Sequence, residues 1–294
     1  MPTLRDLRKR IKAIQSTKKI TSAMKMVAAA KLRKVQDRML NFRPYAIDMQ
    51  TVLSDLARVA ERELHPLLIV RPRKTVEVLV ITSDKGLCGA FNTNILRGAT
   101  RYIDSIKKEG AELSLSVVGR KARDYFRRRN IPMRKIWVGI SGRITYANAQ
   151  EIASDMAENY TKEAIDEIVL IYNEFKTLLA QKLSTVRLLP IKELEAEEAG
   201  AERAPLTSDF LYEPSARILF ERLLPKYIEI QVYRALLESS AAEEAARMNA
   251  MENASKNCEE LITKVTLIAN KVRQASITKE LMDIVGGVEA LKVK

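Results

Sequence analysis

Two long stretches of the sequence lack both glycine and proline, and they lie at opposite ends of the chain. The first fills the interval between Pro2 and Pro44, and the second runs from Lys226 to Val285. Because glycine and proline are the strongest helix breakers, we expect a long helix at each end, roughly 60 Å and 90 Å in length. We expect the first helix to continue, with a kink at Pro44, toward Pro66. Gly286 and Gly287 are expected to break the second helix.

Both stretches carry the spacing of a coiled-coil seam. Leu4, Leu7, Ile11 and Ile14 follow a 3-4-3 pattern, which is interrupted at the polar residues Lys18 and Thr21 and resumes near Ala28. We interpret the interruption as a stutter. The second stretch keeps one unbroken pattern through Met248, Met251, Ser255, Cys258, Ile262, Val265, Ala269, Val272 and Ser276. Helices this long need a partner, so we expect the two ends to pair with each other. The spacing leaves their direction open, and a compact middle domain favours an antiparallel pair.

The segment from Ala23 to Leu32 is apolar around nearly its whole circumference, with Lys25 as the early interruption. Such a helix is normally surrounded on all sides. Its flanks are strongly basic, because residues 1–45 contain 13 Lys or Arg against Asp6 and Asp37, in a chain of net charge +13. So basic a segment predicts an acidic partner, which could be nucleic acid, anionic lipid or a protein surface.

The middle of the chain alternates strand-like and helix-like runs. The β-rich runs are VEVLVITS, ELSLSVVG, KIWVGIS and EIVLIYNEF, and helical stretches separate them. This alternation predicts an α/β fold with a mostly parallel sheet. KLSTVRLLPI follows too closely for a crossover, so we expect an antiparallel hairpin partner. The acidic run KELEAEEAGAERAPLTSD reads as an exposed connection. We place the domains at 1–66, 67–211 and 212–294.

The sequence carries no pattern typical of a catalytic site. Gly86 and Gly89 follow the first strand, but their spacing fits neither G-x-G-x-x-G nor a P-loop, so turn geometry is the preferred interpretation. Asp84 is interpreted as a capping residue, and His65 as a helix-terminal residue. The cysteines Cys88 and Cys258 are far apart and are expected to be reduced thiols. We expect no metal site, no cofactor, no signal peptide and no transmembrane helix.

The motifs of the chain resemble those of the γ subunits of rotary ATP synthases over essentially its whole length. The resemblance rests on IQSTKKITSAMKMVAAAKLRKVQDRM followed by RPYA, on SDKGLCGAFNTNI, on FLYEPS and on NKVRQASITKELMDIVGGVEAL. In the last motif Val288 stands where the family usually has alanine. The cysteine-containing insertion of chloroplast relatives is missing, so thiol control of rotation is not expected.

The resemblance implies an antiparallel coiled coil with a Rossmann-like domain at its base that binds no nucleotide. It implies a non-catalytic rotor subunit, present in one copy, that transmits rotation of a membrane c-ring to three catalytic β subunits. Three α subunits and an ε subunit are the other implied partners. The ring of α and β subunits would then be the sleeve around the apolar segment. The implied location is the cytoplasmic face of a bacterial membrane, with membrane contact through the complex alone.

The resemblance also assigns roles to individual residues. Met24 and Lys25 match positions that face an acidic loop of the catalytic subunits. The other positions implied in rotor–stator coupling are Arg247, Arg273, Gln274, Thr278 and Glu280. Tyr45 and Tyr212 match positions near the membrane ring and the ε subunit.

Two other functions remain open from the residues alone. A nucleic-acid-binding coiled coil would use residues 5–34 as a basic region, although the apolar block among the charges does not suit base readout. A dehydrogenase-like enzyme would use the central sheet. The coupling ion, proton or sodium, cannot be read from this sequence.

Overall fold

The computed structural model describes residues 3–59, 65–178, 180–191 and 215–292. The chain divides into two compact units, Met1–Ala28 with Arg247–Lys294 and Ala29–Ala246. The elements in chain order are α1 (Leu4–Val59), β1 (Thr75–Ile81), α2 (Phe91–Lys108), β2 (Glu112–Val118), α3 (Arg120–Arg127), β3 (Lys135–Trp137), α4 (Tyr146–Thr161), β4 (Glu167–Phe175), β5 (Gln181–Leu189) and α5 (Ala216–Lys292). This is the predicted α/β fold class. The three domain boundaries stay predictions, and the acidic connection at 192–209 lies outside the described residues.

Each terminal helix is longer than the glycine- and proline-free stretch that predicted it. Pro44 lies inside α1 and Pro225 lies inside α5. The expectation that Gly286 and Gly287 break α5 is wrong, because the helix continues through both of them to Lys292. A glycine lowers helix stability by about 1 kcal/mol relative to alanine, which does not end a helix unless a turn requires it.

In the unit formed by Met1–Ala28 and Arg247–Lys294, α1 and α5 pair as an antiparallel coiled coil. Lys18 lies 2.5 Å from Glu259, and the hydroxyls of Thr21 and Ser255 are 2.7 Å apart. Leu7 packs with Val265 and Ala269. Residues later in α1 therefore contact residues earlier in α5, so the two helices run antiparallel, a direction that the residue spacing alone left open.

The predicted stutter in the α1 seam is wrong. The side chains that are buried or half-buried keep an unbroken 3-4 spacing through Leu4, Leu7, Ile11, Ile14, Lys18, Thr21, Lys25 and Ala28. The seam stays in phase at its polar positions because α5 supplies polar partners there, Glu259 to Lys18 and Ser255 to Thr21. On α5 the seam is confirmed as far as Val272, whereas Ser276 is exposed.

In the unit Ala29–Ala246, five strands form one sheet in the order β3-β2-β1-β4-β5. The β1–β2, β1–β4 and β2–β3 pairs are parallel, and β5 is antiparallel to β4, as predicted. One face of the sheet packs against α2 and α3, and the other against α4 and parts of α1 and α5. Burial on both faces explains why β1 is almost continuously apolar.

The most enclosed helical segment of this unit belongs to α5. Every residue from 235 to 245 is buried. Leu32 of α1 packs against Ala241 and Ala245, while Ala242 joins the core beneath α2. The small side chains let both neighbours approach, and the Arg234 guanidinium donates to buried Glu238 at 2.8 Å.

The apolar segment near the start of the chain is not enclosed by this chain. Within it Ala28 and Leu32 are buried, but Met26 is 65% exposed and Val27 is 56% exposed. None of the described helices is long and apolar enough to cross a membrane.

Candidate functional site: exposed surfaces of the coiled coil

Beyond Val272, α5 has no partner among the described residues of its unit. Leu4, at the start of α1, and Val272 pack on the same small core with Leu7. Residues 273–288 that follow are all exposed. The last part of α5 therefore projects past the beginning of α1, and its sides are free to meet another molecule.

One face of this projecting segment is apolar. Its members, which we call the terminal stripe, are Ile277, Leu281, Ile284, Val285 and Val288, and their exposed fractions run from 49% to 63%. The spacing i, i+4, i+7, i+8, i+11 puts them on one side of a helix. A contiguous apolar face left in water is typical of a surface that a partner covers.

Four of the five predicted coupling residues on α5 lie around the terminal stripe. At 100° per residue, Arg273 and Glu280 fall on one border, and Gln274 and Thr278 fall toward the other. All four are exposed. The Thr278 hydroxyl donates to the Gln274 carbonyl at 3.0 Å, so it is held by its own helix. The structure thus brings these four residues together on one surface, although the sequence argument had missed the stripe between them. Its 3-4 spacing was visible in the sequence.

Lys25 and Met24 lie on the coiled coil itself. The Lys25 ammonium lies 3.2 Å from Glu252, and the hydrogen bond from Lys25 holds the pKa of that carboxyl below its usual value. Met24 is half-buried. The most exposed apolar side chains nearby are Met26, Val27 and Ile20, the last of them 60% exposed. A partner approaching Lys25 would therefore meet a cation already paired within the chain and an apolar surface beside it.

The remaining predicted site residues differ in their accessibility. Arg247 is buried, with 9% of its surface exposed. Tyr45 is 46% exposed, and its ring lies 5.8 Å from that of Phe42. Tyr212 lies outside the described residues.

The loop after β1 is organised around one carboxylate. Asp84 accepts hydrogen bonds from the backbone N–H groups of Arg120 at 3.1 Å and Gly139 at 3.0 Å, and from Ser141. Burial would raise the pKa of Asp84, but these hydrogen bonds outweigh it and hold the pKa below its ordinary value. Asp84 therefore caps the start of α3 rather than the helix α2 that follows its own turn, and it also fastens the loop after β3.

This arrangement fills a helix N-terminus that could otherwise hold an anion. In doubly wound folds, ligands bind at the carboxyl ends of the parallel strands, with phosphate at a helix N-terminus. Here the N-terminus of α3 already receives the Asp84 carboxylate. Gly89 adopts φ +55° and Leu87 φ +63°, consistent with the turn interpretation of this loop. On the opposite face of the sheet, a cavity of about 20 Å³ beside Tyr172 and Gln231 has room for about one water molecule.

The histidine and the two cysteines, which were also candidates for chemistry, are partly or fully buried in the fold. The His65 ring accepts the Leu67 N–H at 3.2 Å, and burial lowers the pKa of that imidazole. Cys88 and Cys258 are both free and buried. Within the described ranges, no three Cys, His, Asp or Glu side chains are grouped so that they could hold a metal ion.

These features define a class: an antiparallel coiled coil with uncovered apolar surface, built from the two ends of a chain whose middle forms a doubly wound α/β domain. Comparison with known proteins leads to the same class of protein. The family model described as ATP synthase matches residues 3–291. An ATP synthase gamma chain from Anaeromyxobacter sp. (strain K) is 48% identical over 295 residues, covering 99% of this chain and 100% of the relative.

Solved structures give the same result. The central stalk/c-ring structure of Tetrahymena thermophila mitochondrial ATP synthase contains a chain that is 31% identical, with a TM-score of 0.61, over 80% of this chain and 99% of that one. A chain of the Euglena gracilis mitochondrial ATP synthase shares the fold, with a TM-score of 0.66 at 23% identity over 98% and 94% of the two chains. The chain belongs to the ATP synthase gamma chain family.

Proposed function

We propose that this chain is the central rotor shaft of an ATP synthase, a non-catalytic subunit that transmits rotation of a membrane c-ring to three catalytic β subunits. The observation that carries the proposal is the uncovered apolar surface of the coiled coil. The terminal stripe, together with Ile20, Met26 and Val27, is roughly half exposed or more in this chain. Three β and three α subunits form the sleeve that covers it.

The physical requirement on such a shaft is contact that favours one conformation of a neighbour and then releases it. Each catalytic subunit changes state only by the difference in its contact free energy with the shaft. Apolar side chains bordered by Arg273, Gln274, Thr278 and Glu280 supply nondirectional contact with a few orienting polar groups. Met24, Lys25 and Arg247 act along the coiled coil, closer to the α/β domain in sequence.

The other end of the coupling path is the α/β domain. Tyr45 and Tyr212 contact the c-ring and the ε subunit. The complex holds one copy of this chain at the cytoplasmic face of a bacterial membrane, where it drives ATP synthesis or, in reverse, ion pumping. In this proposal the domains 1–66 and 212–294 supply the two helices of the shaft, and the domain 67–211 supplies its base.

The test is reconstitution with bacterial α and β subunits, followed by ATPase assays and observation of a probe attached to the α/β domain. One variant ends after Val272, so that it keeps the paired coil and loses the terminal stripe. A second carries Ile277→Asp and Leu281→Asp. The matched control carries Ala275→Asp and Lys279→Asp, which lie on the opposite side of the same exposed helix with the same spacing.

We expect the full chain to yield a complex with rotation of the probe, the control to match it, and the stripe variants to lose coupled rotation. If the ring assembles and hydrolyses ATP identically with and without the chain, the rotor function is wrong. Tight binding of one DNA or RNA sequence by the full chain would then favour the nucleic-acid alternative.

A further inference from the structure

The face of the sheet covered by α2 and α3 carries a dense basic surface that the rotor function does not use. The two helices lie on the same side of the sheet and share one core, which includes Ile95, Ile103 and Phe126. Residues 91–108 and 120–130 together hold ten Lys or Arg against Asp104 and Asp124. We call this set the α2–α3 basic surface: Arg97, Arg101, Lys107, Lys108, Arg120, Lys121, Arg123, Arg127, Arg128 and Arg129.

Most of these cations are neither buried nor neutralised. Arg123 pairs with Asp124 at 2.9 Å, and Arg120 lies 3.6 Å from Asp84. The side chains with neither an ion pair nor a hydrogen bond to any described residue are Arg97, Arg101, Lys107, Lys108, Lys121, Arg127 and Arg128, all of them exposed. So much unpaired like charge raises the energy of the isolated chain and is offset when a polyanion approaches.

Three kinds of polyanion could be attracted, and the side chains discriminate between them. Single-stranded nucleic acid needs free aromatic faces for stacking. The Tyr125 ring is covered by the Arg129 guanidinium at 3.6 Å, and its hydroxyl lies 3.1 Å from that of Thr100. The Tyr102 hydroxyl accepts from Arg73. The Tyr102 ring is half-buried against the core of this unit and the Tyr125 ring is covered, so neither ring is a freely exposed stacking platform.

An acidic protein partner would need an apolar anchor. Stable protein interfaces centre on buried hydrophobic or aromatic side chains surrounded by a polar rim. Leu87, at the edge of this surface beside Gly86 and Lys121, is 65% exposed, but no large hydrophobic side chain of the described residues between Leu87 and Ile136 is exposed. The surface therefore has charge without an apolar centre.

The anion that fits is the phosphate of lipid headgroups. Seven of the ten cations are arginine, whose planar fork pairs with phosphate through two hydrogen bonds. Clusters of four to eight basic residues bind anionic bilayers electrostatically, without a pocket and without apolar insertion. We propose that the α2–α3 basic surface binds the anionic phospholipid surface of the membrane directly, which departs from the expectation that this chain meets the membrane only through the complex. Such contact is compatible with a moving protein, because lipid headgroups exchange freely beneath it.

The experiment measures binding of the full chain to vesicles of phosphatidylglycerol mixed with phosphatidylcholine, and to vesicles of phosphatidylcholine alone, at physiological ionic strength. One variant carries Arg97→Gln, Arg101→Gln, Arg127→Gln and Arg128→Gln. The matched control removes four exposed charges from α1 with Arg5→Gln, Arg8→Gln, Lys9→Gln and Lys12→Gln. The fluorescence of Trp137, the single tryptophan, verifies that each variant is folded.

We expect binding to the anionic vesicles alone, a loss of about tenfold or more in the α2–α3 variant, and a smaller loss in the control. Equal losses in the two variants, or no binding of the unaltered chain, would overturn the proposal. So would stronger competition by polyglutamate or RNA than by added anionic vesicles. The rotor function is independent of this result, because the α2–α3 variant is expected to assemble and rotate normally with α and β subunits.

Discussion

Replacing Asp84 by asparagine tests how much the α/β domain depends on a single carboxylate. The Asp84 carboxylate receives three backbone N–H groups, those of Arg120, Gly139 and Ser141, and the Ser141 hydroxyl, and its side chain is 5% exposed. Asparagine keeps one acceptor oxygen but presents an NH₂ group to the other donors. At least one of these N–H groups then loses its partner, and the retained bonds lose their charge assistance; hydrogen bonds to a charged group contribute roughly 1.5–3 kcal/mol. We expect Asp84→Asn to lower the free energy of unfolding by about 3 kcal/mol at neutral pH.

Trp137 reports on this site directly. It is the single tryptophan of the chain, it is 5% exposed, and it lies two residues before Gly139. Its indole donates to Glu151 at 3.0 Å, and its carbonyl accepts the Gly119 N–H. Urea unfolding followed by the red shift of Trp137 emission therefore measures the stability of the part of the sheet that Asp84 fastens. Asp124→Asn is the control, because the exposed pair of Asp124 with Arg123 should contribute less than about 1 kcal/mol.

The pH dependence gives a second check on the same variant. Because the folded-state pKa of Asp84 lies below its ordinary value of 3.8, the ionised group stabilises the fold above that value. This stabilisation is lost as the pH falls through the folded-state pKa. The difference between the two proteins should thus be full at pH values near neutrality and shrink in acid. A difference below about 1 kcal/mol at neutral pH, or one that does not change in acid, would refute the role given to this carboxylate.

Three further substitutions test the packing of the two units. Leu7→Ala should lower the free energy of unfolding of the coiled coil by about 2 kcal/mol or more, measured by thermal unfolding followed by circular dichroism. Arg8→Ala, at an exposed position, should have little effect. Thr21→Val leaves the half-buried Ser255 hydroxyl unpaired and should lower the free energy of unfolding by about 1 kcal/mol. The double variant with Ser255→Ala should recover part of this loss. If the effects of the two substitutions simply add, the hydrogen bond between these residues is contradicted. Gly119→Ala should prevent stable folding of the sheet, because Gly119 has φ +96° and an added Cβ would lie 2.3 Å from a backbone oxygen. If the unfolding curve followed by Trp137 fluorescence matches that of the unaltered chain, the backbone can shift and this reasoning is wrong.

The terminal helices and the sheet were predictable because each depends on a periodicity that extends over many residues. The 3-4 seam from Met248 to Val272 and all five strands follow from the pattern of apolar residues. The antiparallel direction was favoured by an argument about the middle domain, and no residue spacing fixes it. Long periodic elements leave little choice of structure, whereas the pairing of elements distant in sequence depends on tertiary contacts.

The errors arose where a residue type was interpreted without its partner. Lys18 and Thr21 looked like an interruption of the seam because they are polar, yet Glu259 and Ser255 accommodate them in phase. Gly286 and Gly287 looked like a helix end, but no turn uses their conformational freedom. The role of Asp84 could be assigned to capping, but the sequence could not show that it joins loops after three different strands.

The distribution of apolar side chains between the inside and the outside of the coiled coil bears on the proposed place of the chain within a complex. In the unit Met1–Ala28 with Arg247–Lys294, the buried hydrophobic residues of the seam include Leu7, Ala28 and Val265, with polar pairs between them. A seam of this kind fixes register but buries little apolar area. Further apolar side chains, Met26 and the members of the terminal stripe, lie outside it and are exposed. Hydrophobic free energy that a stable isolated coil would place in its seam is therefore held on the outer surface, where a surrounding partner can gain it. In the proposed rotor, contact with this outer surface would differ with rotational position, because the apolar side chains of the terminal stripe lie on one side of their helix.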